Sequence, residues 1–330
     1  MASLYLLEQG SQVGKQAEQL VITQQQRLLR QVPLAQIERL FLFGRIHLTA
    51  DVVRTCLVRR IPAAYLSRQG WLYGTVSAPF AGRSRQRFLQ WQANSDPGCS
   101  LAIARTLVAA KIHNQRVLLM RQQRRRAVSE NELAVQILAY LEERVVRANS
   151  VQQLFGLEGA AAAQYFPAFG RQLQDGRFRL VERVRRPPTN PVNALLSFGY
   201  SLLWNHLRAV VEVYGLDPYP AHLHALDDGH LALISDLIEP FRAPIVDSLV
   251  ITLINRRMLD ESHFDYVQGS CYLGDVGRRL VIAQFEQYMA QTIQLPNERE
   301  GYRWELLDWA VRTYRDSLYR NQELVAYRIR

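Results

Sequence analysis

The 330-residue sequence predicts an α+β protein: a small β-rich N-terminal domain over residues 1–82, followed by a larger all-helical domain over residues 83–330. Three observations carry that reading. The first ~80 residues hold short segments rich in β-branched and aromatic side chains, separated by turn residues. Beyond Phe80, apolar residues recur at spacings of three and four, the period of a helix with one buried face. Between the two patterns, "AGRSRQR" is small, polar and basic, and reads as a linker or the lead into a helix.

In chain order, "SLYLLEQ", "QLVITQ", "RLFLFGRIHLT" and "AAYLSRQGWLYGTVS" read as extended. Gly10, Gly14, Pro33, Gly44, Pro62 and Gly70 supply the turn signals among them. "TADVVRTCLVRR" reads as one short helix, with Thr49 or Asp51 available as its N-cap. Helices then follow in "LAIARTLVAAKIHNQRVLLMRQQ", "ELAVQILAYLEERVV", "ALLSFGYSLLWNHLRAVVEVY" and "PIVDSLVITLINRRML". "DGRFRLVERVRRPP" is an extended strand or arm, because Pro187 and Pro188 bar a helix there.

A content of 48% hydrophobic and 21% charged residues belongs to an ordinary globular chain and not to a disordered one. No run of about 18 uncharged apolar residues occurs, so no membrane span is expected. The start, "MASLYLLEQG", lacks the basic head and apolar block of a signal peptide. Cys56, Cys99 and Cys271 are odd in number and far apart, which fits a reducing cytoplasm and neither a disulfide framework nor a zinc ribbon. The net charge is +10, and Lys15 and Lys111 are the only lysines, so arginine carries the positive charge. Arginine forks match phosphate oxygens and stack on bases, so a nucleic-acid partner is favoured over a plain arginine bias.

The segment "HLHALDDGHLALISDLIEPFR" crowds histidines and carboxylates around an apolar run. Asp236 and Glu239 are three apart, one helical turn on one face, among Leu231, Leu233, Ile234, Leu237 and Ile238. Two such carboxylates repel unless a cation or a proton sits between them. His224 lies across the turn "DDG", and an imidazole with carboxylates suits magnesium or manganese better than structural zinc. An exposed acidic edge beside a turn histidine accounts for the segment equally well. His222 is a weaker candidate, and Asp227, Asp228 and His230 read as a solvated turn. In "LFGLEGAAAAQYF" Glu158 is the only charge, and the alanines admit a close helix neighbour. A carboxylate there needs a metal or an arginine partner, the buried ion pair being the commoner solution. Arginines cluster at Arg183, Arg185 and Arg186, at Arg121 and Arg124 to Arg126, and at Arg278 and Arg279, with Arg242 three residues past Glu239. Arginines beside an acidic helix suit an enzyme that holds phosphates with one and a cation with the other.

At this level the chain resembles the CRISPR adaptation integrase family. The resemblance rests on "KIHNQRVLL", "GLEGAAAAQYF", "RRPPTNPVNALLSFGYSLLWN", "YGLDPYPAHLH", "ISDLIEPFR" and "LGDVGRRLVIAQFEQYM", in the family's order. It implies that Glu158, His224 and Glu239 coordinate a divalent Mg2+ or Mn2+ ion, with Asp236 supporting the site. It implies a metal-dependent endonuclease and integrase that inserts captured DNA into a CRISPR array as new spacers. The 3′-hydroxyl of the fragment would attack a phosphodiester at a repeat end. Arg183, Arg185, Arg186, Trp204, Arg242, Arg278 and Arg279 are the expected DNA contacts. A homodimer built on the β-rich domain and a small ferredoxin-like partner protein are also implied. Three departures stand out: "AHLH" replaces a Gly-Phe-Leu-His pattern, Trp204 stands where tyrosine is usual, and Pro240 is expected to kink the helix after Glu239. The rival readings are a general metal-dependent nuclease on branched or damaged DNA and a non-catalytic DNA-binding scaffold.

Overall fold

The computed structural model describes residues 2–68, 72–78, 84–184, 187–296 and 298–330. It divides into two compact units, residues 1–83 with Arg208–Gly215, and residues 84–207 with 216–330. Gly70, Arg185 and Arg186 lie outside the described residues.

The first unit runs β1 (Ala2–Leu6), β2 (Gln12–Gln16), β3 (Gln19–Gln24), β4 (Arg27–Pro33), β5 (Ile37–Phe43), β6 (His47–Leu48), α1 (Ala50–Arg59), β7 (Ala63–Leu66) and β8 (Leu72–Val76). One sheet has the order β1-β5-β7-β8, with β1 and β7 parallel to β5 and β8 antiparallel to β7. The other has the order β4-β3-β2-β6. In β5, Leu40, Phe41, Leu42 and Phe43 are all buried, as in a strand covered on both faces. In β3 only Leu20 and Ile22 are fully buried, the alternation of a strand with one wet face. Leu20, Ile22, Leu40 and Leu42 join Val13, Val52 and Cys56 in one core.

Two strands were not legible in the pattern. β2 contains Gly14, read above as a turn, but Gly14 pairs with Val21 in mid-ladder. The reversal lies further on, where Ala17 takes φ +50°. β4 exposes Arg27 through Gln31 and buries only Val32, so no alternation marks it. The β3–β4 hairpin turns on Gln25 and Gln26, both at positive φ, without the glycine or asparagine that usually announces such a turn. The expected short helix is α1; Thr49 occupies its N-cap position but its side chain makes no capping bond.

The second unit is helical: α2 (Ser84–Ser95), α3 (Pro97–Arg125), α4 (Glu130–Val146), α5 (Val151–Arg171), α6 (Pro191–Tyr214), α7 (Ala232–Ile238), α8 (Ser248–Asn255), α9 (Asp275–Met289) and α10 (Glu305–Arg320). The last turns of α6, from Arg208, group with the first unit. Arg208 there donates to Glu212 at 2.7 Å and to Thr75 Oγ1 at 3.1 Å. Two hairpins interrupt the helices, β9 (Phe264–Val267) with β10 (Ser270–Leu273), and β11 (Thr292–Gln294) with β12 (Glu300–Tyr302). Strands of three or four residues are too short to register as a period, which is why an all-helical domain was expected. The arm expected near Pro187 is irregular, and among its described residues Phe178 and Leu180 are buried anchors.

The axis of this unit is α3. Asp96 caps it, accepting from the Gly98 and Cys99 amides at 2.8 and 3.1 Å, with Pro97 in the first turn. It buries Ile103, Leu107, Val108, Ile112, Leu118 and Leu119 against α4, α5 and the turn after α7. Each such side chain stabilises the fold by about 1.5–3 kcal/mol. No described helix is long and apolar enough to cross a membrane.

Candidate active site

Two charges sit where α3 and α5 should be apolar. Lys111 lies among Ala109, Ala110 and Ile112, and only 5% of it is exposed. Its ammonium pairs with Glu158 of α5 and lies 2.6 Å from Glu239 Oε2. Two glutamates from separate elements therefore meet on one cation. An ion pair was the expected alternative to a metal at Glu158, but with arginine as partner. The partner is lysine.

Glu239 is 3% exposed, and the backbone around it is specialised. α7 ends at Ile238, residues Glu239–Phe241 form a 3-10 turn, and Arg242–Asp247 form a π-helical turn before α8. Pro240 has no N–H to continue an α-helix, so the kink falls where the sequence placed it. Single π turns of this kind recur at functional sites. Arg242 lies 3.0 Å from Glu239 Oε1, on the side opposite Lys111. Burial pushes the Glu239 pKa up, but Arg242, Lys111 and His224 outweigh it, and the carboxyl falls to about 2. Glu239 is therefore ionised at neutral pH.

Asp236 does a different job from its neighbour. It is wholly buried, as is every residue of α7, so there is no acidic edge. Its Oδ2 accepts from the His222 and Leu223 amides at 2.6 and 2.8 Å. Its Oδ1 accepts from the His224 amide at 3.0 Å and from His224 Nδ1 at 2.7 Å. One carboxylate thus ties down the loop and orients the ring. Burial lowers the His224 pKa, but the Asp236 hydrogen bond and the charges of Asp236, Glu239 and Glu158 raise it further. The imidazole therefore feels both glutamates, and Nε2 makes no hydrogen bond among the described residues. His222 is structural: it bonds Tyr314 Oη at 2.9 Å and Ser100 Oγ at 3.2 Å. Burial holds its pKa down at about 4, against the charge of Asp236, so it is neutral. His230, expected in a solvated turn, bonds Ser235 Oγ at 2.9 Å.

Behind Arg242 lies a second buried acid. Asp247 accepts from Tyr165 Oη at 2.6 Å and from Tyr200 Oη at 2.5 Å. Arg242 stacks 4.6 Å over the Tyr200 ring, and Arg183 stacks 5.6 Å from it. Asn114, one turn along α3 from Lys111, donates to the Pro240 carbonyl at 2.6 Å and to the Tyr327 carbonyl at 2.9 Å. It also accepts from the Ile329 amide at 2.8 Å. One amide side chain therefore fastens the C-terminal segment and the Glu239 turn to one helix.

Of the expected DNA-contact arginines, three have internal partners among the described residues, Arg242 being held by Glu239 and Tyr200 as above. Arg183 donates to the Val184 carbonyl, Asn193 and Ser197, at 2.6, 2.9 and 3.0 Å. Arg278 is buried and bonds the Leu273 carbonyl and Asp275, closing the end of β10. Arg279 is exposed and Trp204 half-buried. Lys111, Asn114, Asp247, Tyr165 and Tyr200 were given no role in the sequence reading. Lys111 carries the signal that found Glu158, a lone charge in an apolar helical run.

Among the described residues no three acids, histidines or cysteines are gathered at ligand spacing, and Lys111 stands between the glutamates. The donor set nonetheless fits a divalent cation. Glu239 Oε2 is buried and, though ion-paired, accepts no aligned hydrogen bond. His224 offers Nε2 while a buried carboxylate fixes Nδ1, the usual support of a ligating histidine. Two carboxylate oxygens and one imidazole suit magnesium or manganese.

The family model described as "CRISPR associated protein Cas1" matches residues 4–287. A Cas4 exonuclease/Cas1 endonuclease fusion from Geobacter sulfurreducens is 36% identical over 301 residues, 89% of this chain and 54% of that protein. The chain thus spans about half the length of that relative. The CRISPR-associated endonuclease Cas1 1 of Moorella thermoacetica is 32% identical, with 89% of this chain and 88% of that protein covered. The solved Cas1 protein of Thermotoga maritima superposes with a TM-score of 0.85 at 24% identity, over all of both chains. A casposase bound to its integration product superposes at 0.86 and 22% identity, over 99% of this chain and 93% of that one. The chain belongs to the CRISPR-associated Cas1 family.

Proposed function

We propose that the chain is a DNA endonuclease and integrase that inserts captured DNA fragments into a CRISPR array, using Mg2+ or Mn2+. The observation that carries the reading is the meeting of Glu158 and Glu239 on one cation, beside an imidazole whose Nδ1 is held by Asp236. The relatives named as endonucleases, and the casposase solved with its integration product, support it.

In this reading Glu158, Glu239 and His224 Nε2 hold the metal. When bound, the ion neutralises charge on the scissile phosphate and assists the attacking or leaving oxygen. The Asp236 carboxylate accepts the proton-bearing Nδ1 of His224 in this reading, which leaves the Nε2 lone pair free to ligate. Arg242 fixes Glu239 in its turn. A 3′-hydroxyl of the fragment attacks the phosphorus at a repeat end; the new ester forms as the old phosphodiester bond breaks, and the displaced 3′-oxygen leaves. With water as attacker, the same site cleaves DNA. Arg279 and Trp204 contact DNA, as do Arg185 and Arg186, while Arg183 and Arg278 brace the elements that carry them internally.

Two attacks, one per strand, need two sites, which a homodimer built on the β-rich domain supplies. A small ferredoxin-like partner bridging two dimers completes the assembly, in the cytoplasm. Purified chain, that partner, a short duplex and a repeat-bearing plasmid provide the test. Joined products that require Mg2+ or Mn2+ and vanish in His224→Ala are expected. Cleavage without joining would instead identify a general nuclease, and tight binding without either a scaffold.

A further inference from the structure

Lys111 is a cation built into the chain at the point where the site's two glutamates meet. Its ammonium is buried, and it is ion-paired to two acids. Glu239 carries a second cation, Arg242, on its other oxygen. The glutamate pair is thus charge-balanced by two side chains before anything else arrives. Adding a divalent ion would place four positive charges against two carboxylates and the already committed Asp236. One side chain must withdraw.

The two cations are not equally free to do so. Arg242 is stacked 4.6 Å over Tyr200, whose hydroxyl is tied to Asp247. Lys111 has a compact ammonium on a flexible four-carbon stem and, among the described residues, is held through its ion pairs with the two acids and not by a stacking ring. We infer that Lys111 is an exchangeable placeholder: it holds the metal-free site closed, and a divalent cation displaces its ammonium from between Glu158 and Glu239. The placeholder spares the metal-free protein two buried, mutually repelling carboxylates. It also makes every metal-binding event compete with an internal ion pair, so Lys111 sets the affinity of the site. The displaced ammonium is then left beside the site, where a phosphate oxygen of DNA is a ready partner. The inference rests on the metal site proposed above.

The chain has one other lysine, Lys15, which is exposed and serves as an internal reference. Amine acylation of the full chain, read by mass spectrometry, then reports Lys111 alone. In chelator, Lys111 is expected to react at least tenfold more slowly than Lys15. With saturating Mn2+ its rate is expected to rise several-fold while that of Lys15 stays constant. An unchanged Lys111 rate in protein shown to bind Mn2+ overturns displacement. In parallel, Mn2+ binding is titrated by electron paramagnetic resonance. Lys111→Met is expected to tighten binding at least tenfold, and Lys111→Arg to leave it unchanged or weaker. Should Lys111→Met be poorly folded in chelator, its recovery of native melting on adding Mn2+ gives the same answer, and failure to recover opposes it. Loss of the metal site itself has a separate signature: Glu158→Gln and Glu239→Gln would bind Mn2+ as well as the natural chain does.

Discussion

Asp247 and Glu239 are both fully buried carboxylates, on consecutive turns of one segment, and they are stabilised in opposite ways. Asp247 rests between two tyrosine hydroxyls, with the arginines further off. Burial raises its pKa to about 6, against the pull of Tyr165, Tyr200, Arg242 and Arg183. Glu239 rests between Lys111 and Arg242, and its pKa falls to about 2. Hydroxyls satisfy an acid that needs little charge, whereas cations keep an acid ionised. The first solution suits a brace and the second a ligand, because only a cation can be traded for another cation.

The sharpest way to break the comparison is to neutralise the ligand. Glu239→Gln is expected to lower strand transfer by at least about 100-fold, as loss of a group acting on developing charge does. A melting temperature near that of the natural chain would separate this from unfolding. Next comes Asp236→Asn, which replaces one oxygen of a wholly buried, four-bond acceptor by an amide NH2 that cannot accept, so two of the four bonds are lost. About 3 kcal/mol of stability should go, read by urea unfolding, together with a 10–100-fold loss of metal affinity.

Asp247→Asn tests the other half. A folded pKa of about 6 exceeds the unfolded value of about 3.9, so the folded state binds more protons between those limits and loses stability as pH rises through them. The loss amounts to roughly 3 kcal/mol by pH 7. Asparagine removes this slope while keeping one acceptor, so stability at pH 7 should change by no more than about 1 kcal/mol. Urea midpoints from pH 4 to 7 should be flatter in the variant. Glu239 has the reverse sign: its contribution is full above about pH 4.5 and drains away as pH falls toward 2. The smallest effect belongs to exposed Arg279. Arg279→Ala should leave stability within about 0.5 kcal/mol and reduce the salt slope of DNA binding by about one.

The same contrast explains what could be read without coordinates. Glu158 and Glu239 stood out because charge in an apolar helical run is costly and needs a partner, and His224 because the turn "DDG" brings its imidazole back toward that helix. Lys111 follows the same rule, but a lysine on a long helix can also snorkel its head to water, so its sequence position alone does not reveal that it is buried. Asp247, Tyr165 and Tyr200 blend into amphipathic patterns, since tyrosine serves core and surface alike and their bonds span distant turns. In the β-rich unit, β3 and β5 show their alternation or apolar run plainly. β2 and β4 do not, because exposed glutamines and arginines leave a strand with no periodic mark. The helix kink at Pro240 was legible, being a local covalent constraint. The internal partners of Arg183, Arg242 and Arg278 were not, because sequence shows their charge and not what they bond.

Asn114 gives the site a temporal order. Its amide holds the Pro240 carbonyl beside Glu239 and also the backbone of Tyr327 and Ile329. During synthesis, Glu158, His224 and Glu239 leave the ribosome well before Tyr327 and Ile329. A nascent chain therefore carries every ligand while its anchoring amide still lacks two of three bonds. Full anchorage of the Glu239 turn therefore waits for the segment that carries Tyr327 and Ile329, which is made after all three candidate ligands.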